Sequence, residues 1–360
     1  MFSKFAGSKV IHHLDHVKAA LEGEYTFPVH INIDLTNYCN HRCIWCSGYE
    51  GQQEKAHGVD FDIVMRALTT GSRLALKAVT HIGSGDPVLY KRFVDLARGV
   101  RGLGLDQAMF TNGDFPKDYC RHILDTFTWI RFSLDAATTE THNRVHVGRG
   151  SFPSIIDNIE WLVANRKGRD FFTVGIQFVL HQKNHHELKE AGILAKKLGA
   201  DYLNIKPVIN RGAVGIRTSK FDLGTRRVEE DIRWMRESLN DETFEVVYKP
   251  YQFQINNTPY HEDGAPNPDF VRRYKRCYAV NFEWWIENSM DVSVCGPMNK
   301  FVGNLREQNI EDILGSERYR EVVEAIRIDE CYRGCRPHYL NEIMHSLDHP
   351  DFAFHKNFVG

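Results

Sequence analysis

The sequence predicts an α/β protein: a partial (β/α)6 barrel of the TIM type followed by a small C-terminal α+β domain. Three observations predict it: six short apolar runs between residues 29 and 208, helical periodicity after five of them, and a change of pattern beyond residue 210. Apolar runs alternating with helical segments are βα units, which build a parallel sheet with helices on its outside. Six units suffice for a curved, open barrel. Its site should lie in the loops at the C-terminal ends of the strands.

Residues 1–28 read as an N-terminal helical extension without the continuous apolar segment of a signal peptide. The barrel should span 29–210. Its strands are "VHINIDLT" (29–36), "AVTHIGSG" (78–85), "QAMFTNG" (107–113), "WIRFSLD" (129–135), "FTVGIQFVLH" (172–181) and "DYLNIKPV" (201–208). Helical segments such as "FDIVMRALTTGSRLAL" and "FPSIIDNIEWLVANR" follow the first five. Residues 211–270 read as a linker and variable region, with a helix at "TRRVEEDIRWMRESL", the apolar "FEVVYKPYQFQI" and a Pro-, Gly- and Asn-containing loop. The second domain and tail should occupy 271–360, where "CYAVNFEWWIENSMDVSVC" reads as two strands about a turn with a cysteine at each outer end.

With 42% hydrophobic and 26% charged residues the chain is globular rather than disordered. A net charge of -2 without a long run of one sign argues against nucleic acid or an anionic membrane as partner. No stretch approaches the roughly 20 apolar residues that span a bilayer, so the cytoplasm is the expected location. Eight cysteines are too few for a disulfide scaffold, and grouped thiols in a reducing compartment more often hold metal or do redox chemistry.

The first group, Cys39, Cys43 and Cys46, forms CxxxCxxC directly after the first strand. Structural zinc wants a closed set of four ligands, and catalytic zinc of this spacing would recruit a nearby histidine. Soft thiolates suit an iron–sulfur cluster, and a four-iron cube held by three cysteines leaves one iron open to an outside ligand.

On these residues the chain resembles the radical S-adenosylmethionine (radical SAM) enzymes, whose CxxxCxxC hallmark matches Cys39, Cys43 and Cys46. The resemblance implies that the open iron binds the amino and carboxylate groups of S-adenosylmethionine and reduces it to a 5'-deoxyadenosyl radical. "GSGDP" (83–87) resembles the family's methionine-binding GGEP motif, with Ser84 and Asp86 replacing a glycine and the glutamate beside Gly85. "FTNG" (110–113), which includes Asn112, and "SLDAATTETHN" (133–143) resemble further cofactor-binding segments. The resemblance places Ser133 and Asp135 near the ribose, Arg144 or Arg149 near the methionyl carboxylate, and Trp45 near adenine. For Asp135 and Arg144 a plain surface or capping role is the alternative.

The second group, Cys277, Cys295, Cys331 and Cys335, is a complete set for a closed cluster, and equally a zinc pattern. It resembles the twitch domain, the shorter relative of SPASM, which carries one auxiliary 4Fe–4S cluster. The expected cofactors are therefore two 4Fe–4S clusters, one binding S-adenosylmethionine and one auxiliary. Cys120, inside "KDYCRHILD", reads as a buried apolar residue.

A thiolate-closed cluster offers no iron to substrate and can act as electron acceptor. The resemblance extends to twitch-containing dehydrogenases of aminocyclitol and aminoglycoside antibiotics. The expected reaction is therefore oxidation of a secondary alcohol on a sugar, aminocyclitol or related polyhydroxylated molecule, with flavodoxin or ferredoxin as electron donor. Epimerisation and sulfur insertion are the alternatives within the class, and a peptide maturase ranks below them because the first strand starts near residue 29. A zinc or iron–sulfur binding protein is the alternative outside it. Alternation in the first strand puts His30, Asn32 and Asp34 on one face, and His81, Gln177 and Lys206 lie at or near strand ends. Asn32, Asp34, His81 and Gln177 are the candidate substrate ligands, with Asp34 suited to an amine and Lys206 a candidate base; each could equally be a satisfied polar core residue.

Overall fold

The computed structural model describes residues 7–46, 57–147, 150–168, 172–208, 226–249, 252, 272–331 and 335–349. Six parallel strands follow the predicted order: β1 (His30–Asp34), β2 (Ala78–Ile82), β3 (Asp106–Thr111), β4 (Trp129–Ser133), β5 (Thr173–Leu180) and β6 (Tyr202–Pro207). Each stops short of its predicted run, because the trailing "GSG", "NG" and "LD" leave the ladder as loops. The helices between them are α2 (Phe61–Leu74), α3 (Phe93–Gly102), α4 (Tyr119–Thr126), α5 (Thr139–Val145), α6 (Phe152–Asn165) and α7 (Leu188–Lys197), with α1 (Leu14–Glu22) preceding β1. Local chemistry starts them: Asp60 accepts the amides of Asp62 and Ile63 to cap α2, and Ser151 accepts that of Ser154 to cap α6. The short α5 was not predicted as a helix; Thr138 caps it.

The sheet is larger than six strands. After α8 (Arg226–Leu239), β7 (Glu245–Tyr248) adds parallel to β6, and β8 (Glu283–Ile286) adds parallel to the other side of β1. Antiparallel β9 (Asp291–Ser293) and β10 (Phe301–Asn304) complete the order β10-β9-β8-β1-β2-β3-β4-β5-β6-β7. The two ends do not meet, so the barrel is open. The predicted strand pair of the C-terminal region thus continues the barrel sheet.

One side of the sheet is aliphatic and packs on the helices: Ile31, Ile33, Val79, Met109, Ile130, Phe132, Val174 and Ile176 are fully buried there. The other side faces the barrel interior and is polar. Register aligns Asn32 with Thr80 and Trp285, Ser133 with Gln177, Gln177 with Asn204, and Val179 with Lys206. Because side chains alternate along a strand, these residues share one face.

His81 pairs in register with Ile33, which puts it on the helix side. It is fully buried, bonded to Gln107 at 2.9 Å and edge-on to Phe127 at 5.3 Å. Its place among the interior candidates is therefore corrected: strand parity turns it away from Asn32 and Asp34.

Candidate functional site

Cys39, Cys43 and Cys46 occupy the loop leaving β1, held by three neighbours. The Ile44 amide donates to the Val145 carbonyl at 3.0 Å, the Cys46 amide donates to the Cys43 carbonyl at 3.0 Å, and the Asn112 side chain donates to Cys39 Sγ at 3.7 Å. Asn112 also donates to Asn40 at 2.7 Å, tying the end of β3 to the cysteine loop. Burial, with Asp86 and then Cys46 beside it, pushes the Cys39 thiol up to about 12, and burial with Cys46, Asp135 and Cys39 pushes Cys43 well above its ordinary value. Three half-buried thiols close enough to oppose one another's ionisation are a donor set that a cationic, thiophilic centre would satisfy.

The loop 83–87 lies against this one. The Gly85 amide donates to the Thr36 carbonyl and the Asp86 amide to the Tyr38 carbonyl, each at 2.9 Å. The approach is so close that a Cβ on Gly85 would run into both carbonyls, 2.6 Å from that of Thr36. Gly85→Ala is expected to force the loops apart, lowering stability by about 2 kcal/mol and abolishing S-adenosylmethionine binding in equilibrium dialysis; unaltered binding would show that this contact has no such role.

Asp34 and Asp86 fix the same loop from either side. Asp34 accepts the Ser84 amide at 3.1 Å and the Ser84 hydroxyl at 2.9 Å, and Asn288, from the turn after β8, donates to Asp34 at 2.9 Å. Asp86 accepts the Thr111 hydroxyl at 2.9 Å, the Asn112 amide at 2.7 Å and the Val88 amide at 3.1 Å. Both carboxylates therefore position backbone: Asp34 locks Ser84, and Asp86 binds β3 to the loop.

Asp135 takes a left-handed backbone conformation at φ 57° at the end of β4. It accepts the Val179 amide at 2.6 Å, and its other oxygen lies 3.4 Å from His146 Nε2. The opposite ring nitrogen of His146 lies 3.1 Å from Cys43 Sγ and 2.9 Å from His41 Nδ1, and His142 stacks on His146 at 4.2 Å. His41, Cys43 and His146 bring three potential metal-ligand atoms within 4.8 Å of one another. Trp45 lies 6.4 Å from the His146 ring and 5.7 Å from that of His181.

Ser133 stands on the interior face in line with Gln177, which accepts from Asn204 at 3.4 Å. Arg144 sits on α5, 41% exposed and paired with Glu140 at 2.6 Å. Arg149 lies outside the described residues. Lys206 is half-buried on the interior face near the end of β6. Asn32 is fully buried and donates to Glu283 on β8.

Burial raises the carboxyls of Asp34 and Asp135 to about 7 and that of Asp86 to about 6. It lowers the imidazoles of His81 and His146 to about 4 and those of His41 and His142 to about 3. A carboxyl raised on folding stabilises the fold fully below its unfolded value near 3.8, and that contribution is lost as pH rises through about 7. The lowered histidines act oppositely, and their penalty is gone above their ordinary value of 6.5. Relative to Asp135→Asn, the cofactor-free wild type should therefore lose melting temperature as pH rises from about 4 to 7, read by scanning calorimetry; a difference between the two that does not change with pH would contradict the assignment.

The second cysteine group is brought together from four places. Cys277 precedes the short helical turn at Tyr278–Asn281, Cys295 follows β9, and Cys331 and Cys335 precede the helix at His338–Asp348. All four line one cavity, together with Trp285 and Arg336. Burial pushes Cys295 up to about 12 and Cys277 to about 11, and others of the group push Cys277, Cys295 and Cys335 up further. Glu283, the partner of Asn32, lines the same cavity, so this site adjoins the barrel interior.

A cysteine loop braced by a glycine loop at the C-terminal ends of parallel strands is the setting in which the family comparison falls. Residues 33–192 match the model of the Radical SAM superfamily. The chain carries a radical SAM domain. It is an enzyme, and the domain implies a 4Fe–4S cluster that binds S-adenosylmethionine. The donor chemistry of Cys39, Cys43 and Cys46 fits that cluster.

The chain is 23% identical over 330 residues to the tungsten-containing aldehyde ferredoxin oxidoreductase cofactor-modifying protein of Pyrococcus furiosus, covering 81% of this chain and 82% of that one. It is 23% identical to a Saccharolobus solfataricus protein named "Probable GTP 3',8-cyclase", over 62% of this chain and 68% of that one. In fold it resembles Streptococcus suis SuiB bound to precursor peptide SuiA, with a TM-score of 0.68, 15% identity and coverage of 93% and 75% of the two chains. No helix among the described residues is long and apolar enough to cross a membrane.

Several site residues escaped sequence reading. His41 and His146 lie far apart in the chain, and their only signal was the local density of histidine around the cysteines and α5. Asn288 and Glu283 carried none, because nothing local reveals that β8 pairs with β1.

Proposed function

We propose that this radical SAM enzyme oxidises a secondary alcohol of a polyhydroxylated small molecule, such as a sugar or aminocyclitol, bound in the barrel interior. The observation that supports it is the cavity shared by Cys277, Cys295, Cys331 and Cys335, whose wall includes Glu283 and Trp285 of the strand next to β1. When bound, a cluster at Cys39, Cys43 and Cys46 supplies the electron that cleaves S-adenosylmethionine, and a second at the C-terminal cysteines would accept the electron released by alcohol oxidation.

The chain's own residues do the rest. Gly85 and Asp86 hold the glycine loop on the cysteine loop, and Asp34 fixes Ser84 within it. Asn32, Ser133, Gln177 and Asn204 line the interior with hydrogen-bonding groups suited to hydroxyls. Lys206, on the interior face near the end of β6, would take the hydroxyl proton. Cys120 is fully buried on α4 with its sulfur at 3.5 Å from Asn158, so it does not serve as a hydrogen-atom donor to the interior, which weighs against epimerisation. A one-electron donor such as flavodoxin or ferredoxin completes the scheme, in the reducing cytoplasm that two thiolate sites favour.

The test is a panel of sugars and aminocyclitols deuterated at the carbinol carbon, incubated anaerobically with reconstituted enzyme. Deuterium in 5'-deoxyadenosine together with a ketone product supports oxidation. Solvent deuterium in a product of inverted configuration, or sulfide lost with each turnover, would replace it with epimerisation or sulfur insertion.

A further inference from the structure

The barrel interior holds a pair of cations that the scheme above does not use. Phe110 on β3 is in register with Arg131 on β4, Arg131 with Gly175 on β5, and Gly175 with Tyr202 on β6, all on the interior face. Arg131 is 5% exposed, with its guanidinium 3.8 Å from the centre of the Phe110 ring. Tyr202 bonds to that guanidinium, and its ring covers Gly175 so closely that any Cβ there would collide with it.

Arg336, which follows Cys335, reaches the same place from the C-terminal region. Its guanidinium lies 5.6 Å from the Phe110 ring centre and 5.5 Å from that of Trp285. Among the described residues neither guanidinium makes an ion pair with a carboxylate. Glu283, the nearest interior carboxylate on β8, accepts from Asn32.

Two guanidiniums converging in a partly desolvated interior repel one another, and an anion between them would turn that repulsion into attraction. Guanidinium forks match phosphate oxygens in geometry, and the rings of Phe110 and Trp285 hold both forks in place. We propose that Arg131 and Arg336 form a subsite for a phosphate or diphosphate ester, so that the polyhydroxylated substrate is a phosphorylated sugar. This rests on the reading that the substrate enters the barrel interior. If Arg336 served only to neutralise charge at the C-terminal cysteines, removing the charge of Arg131 would leave anion binding unchanged.

The experiment is calorimetric titration of the anaerobically reconstituted holoenzyme with inorganic pyrophosphate, inorganic phosphate and glucuronate. Pyrophosphate should bind, more tightly than phosphate and more weakly as salt rises, and glucuronate should not compete with it. Arg131→Gln and Arg336→Gln should each weaken pyrophosphate binding about tenfold or more, while Arg318→Gln on the exposed helical surface leaves it unchanged. No pyrophosphate binding to the wild type, undiminished binding in Arg131→Gln, or preferred binding of glucuronate would overturn the proposal. If Arg131→Gln fails to fold by circular dichroism, the half-buried Arg336 decides: full affinity in Arg336→Gln overturns it. Binding is read without turnover, so a failed oxidation assay with pyrophosphate binding intact would sink the alcohol-oxidation reading alone.

Discussion

Replacing Cys39, Cys43 and Cys46 together by alanine is expected to abolish 5'-deoxyadenosine formation and lower the iron of the anaerobically reconstituted protein from about eight to about four atoms per chain. The physical reason lies in the loop after β1. Burial, with the charges of Asp86 and Cys46 beside it, pushes Cys39 to about 12, so as free thiols the loop's cysteines stay protonated; only a bound cationic centre makes thiolates the stable form. Removing all three leaves the loop's brace in place, because the Gly85 and Asp86 amides bond to the carbonyls of Thr36 and Tyr38 rather than to the sulfurs. The variant should therefore fold and keep its second site, which iron and sulfide analysis with EPR will read directly. About four irons in the wild type and none in the variant, with zinc retained, would instead make the C-terminal set a zinc site and remove the electron acceptor.

The double variant Cys277→Ser, Cys295→Ser should separate the two halves of the reaction. It is expected to cleave S-adenosylmethionine with dithionite at near wild-type rate while losing ketone formation by about 100-fold or more. Cys277 and Cys295 face one cavity from opposite flanks of the β8–β9 hairpin, so serine at both positions leaves only Cys331 and Cys335, too few to hold a closed cluster. The S-adenosylmethionine site draws on none of these residues. The hairpin reaches it through Asn288, which donates to Asp34 and to Ser84, and through the pairing of β8 with β1. Parallel loss of cleavage and oxidation would show that the hairpin is needed to shape the first site and would leave the acceptor role unsupported. Ketone formation at full yield would refute that role.

Periodicity was a sufficient guide to the barrel strands because an apolar face with period two is a local property. The same alternation set Asn32 and Asp34 on one side, and their register with Thr80 and Ile82 bears that out. His81 shows where such reading stops. It was grouped with them for its position near a strand end, whereas parity assigns it to the helix side, and parity across strands requires the register of β2 on β1. The strand ends misled in a second way: "GSG" and "NG" extend apolar runs on paper, yet their amides bond to the cysteine loop and to Asp86 rather than to a ladder.

The thiols of the first group were legible for the same local reason. CxxxCxxC is contiguous, and a strand before it suffices to place it on the active face. The shape of its surroundings was not. Asp34 reads as a substrate ligand in isolation, but in the fold it locks Ser84 and bonds to Asn288, 254 positions away in the chain. His146 likewise reaches Cys43 only through the packing of α5 against the loop.

Chain order and side-chain alternation were thus enough for the α/β class, the parallel strand series and the two cysteine groups, while radical SAM chemistry came from the resemblance of the first group to a known family. Packing alone made β8 a neighbour of β1, collected four scattered cysteines around one cavity, and set Arg131 beside Arg336. The reason is range. Propensity and periodicity are written over ten or fifteen residues, whereas a contact between distant segments forms because burying both surfaces together is favourable, and that sum leaves no pattern in either segment by itself.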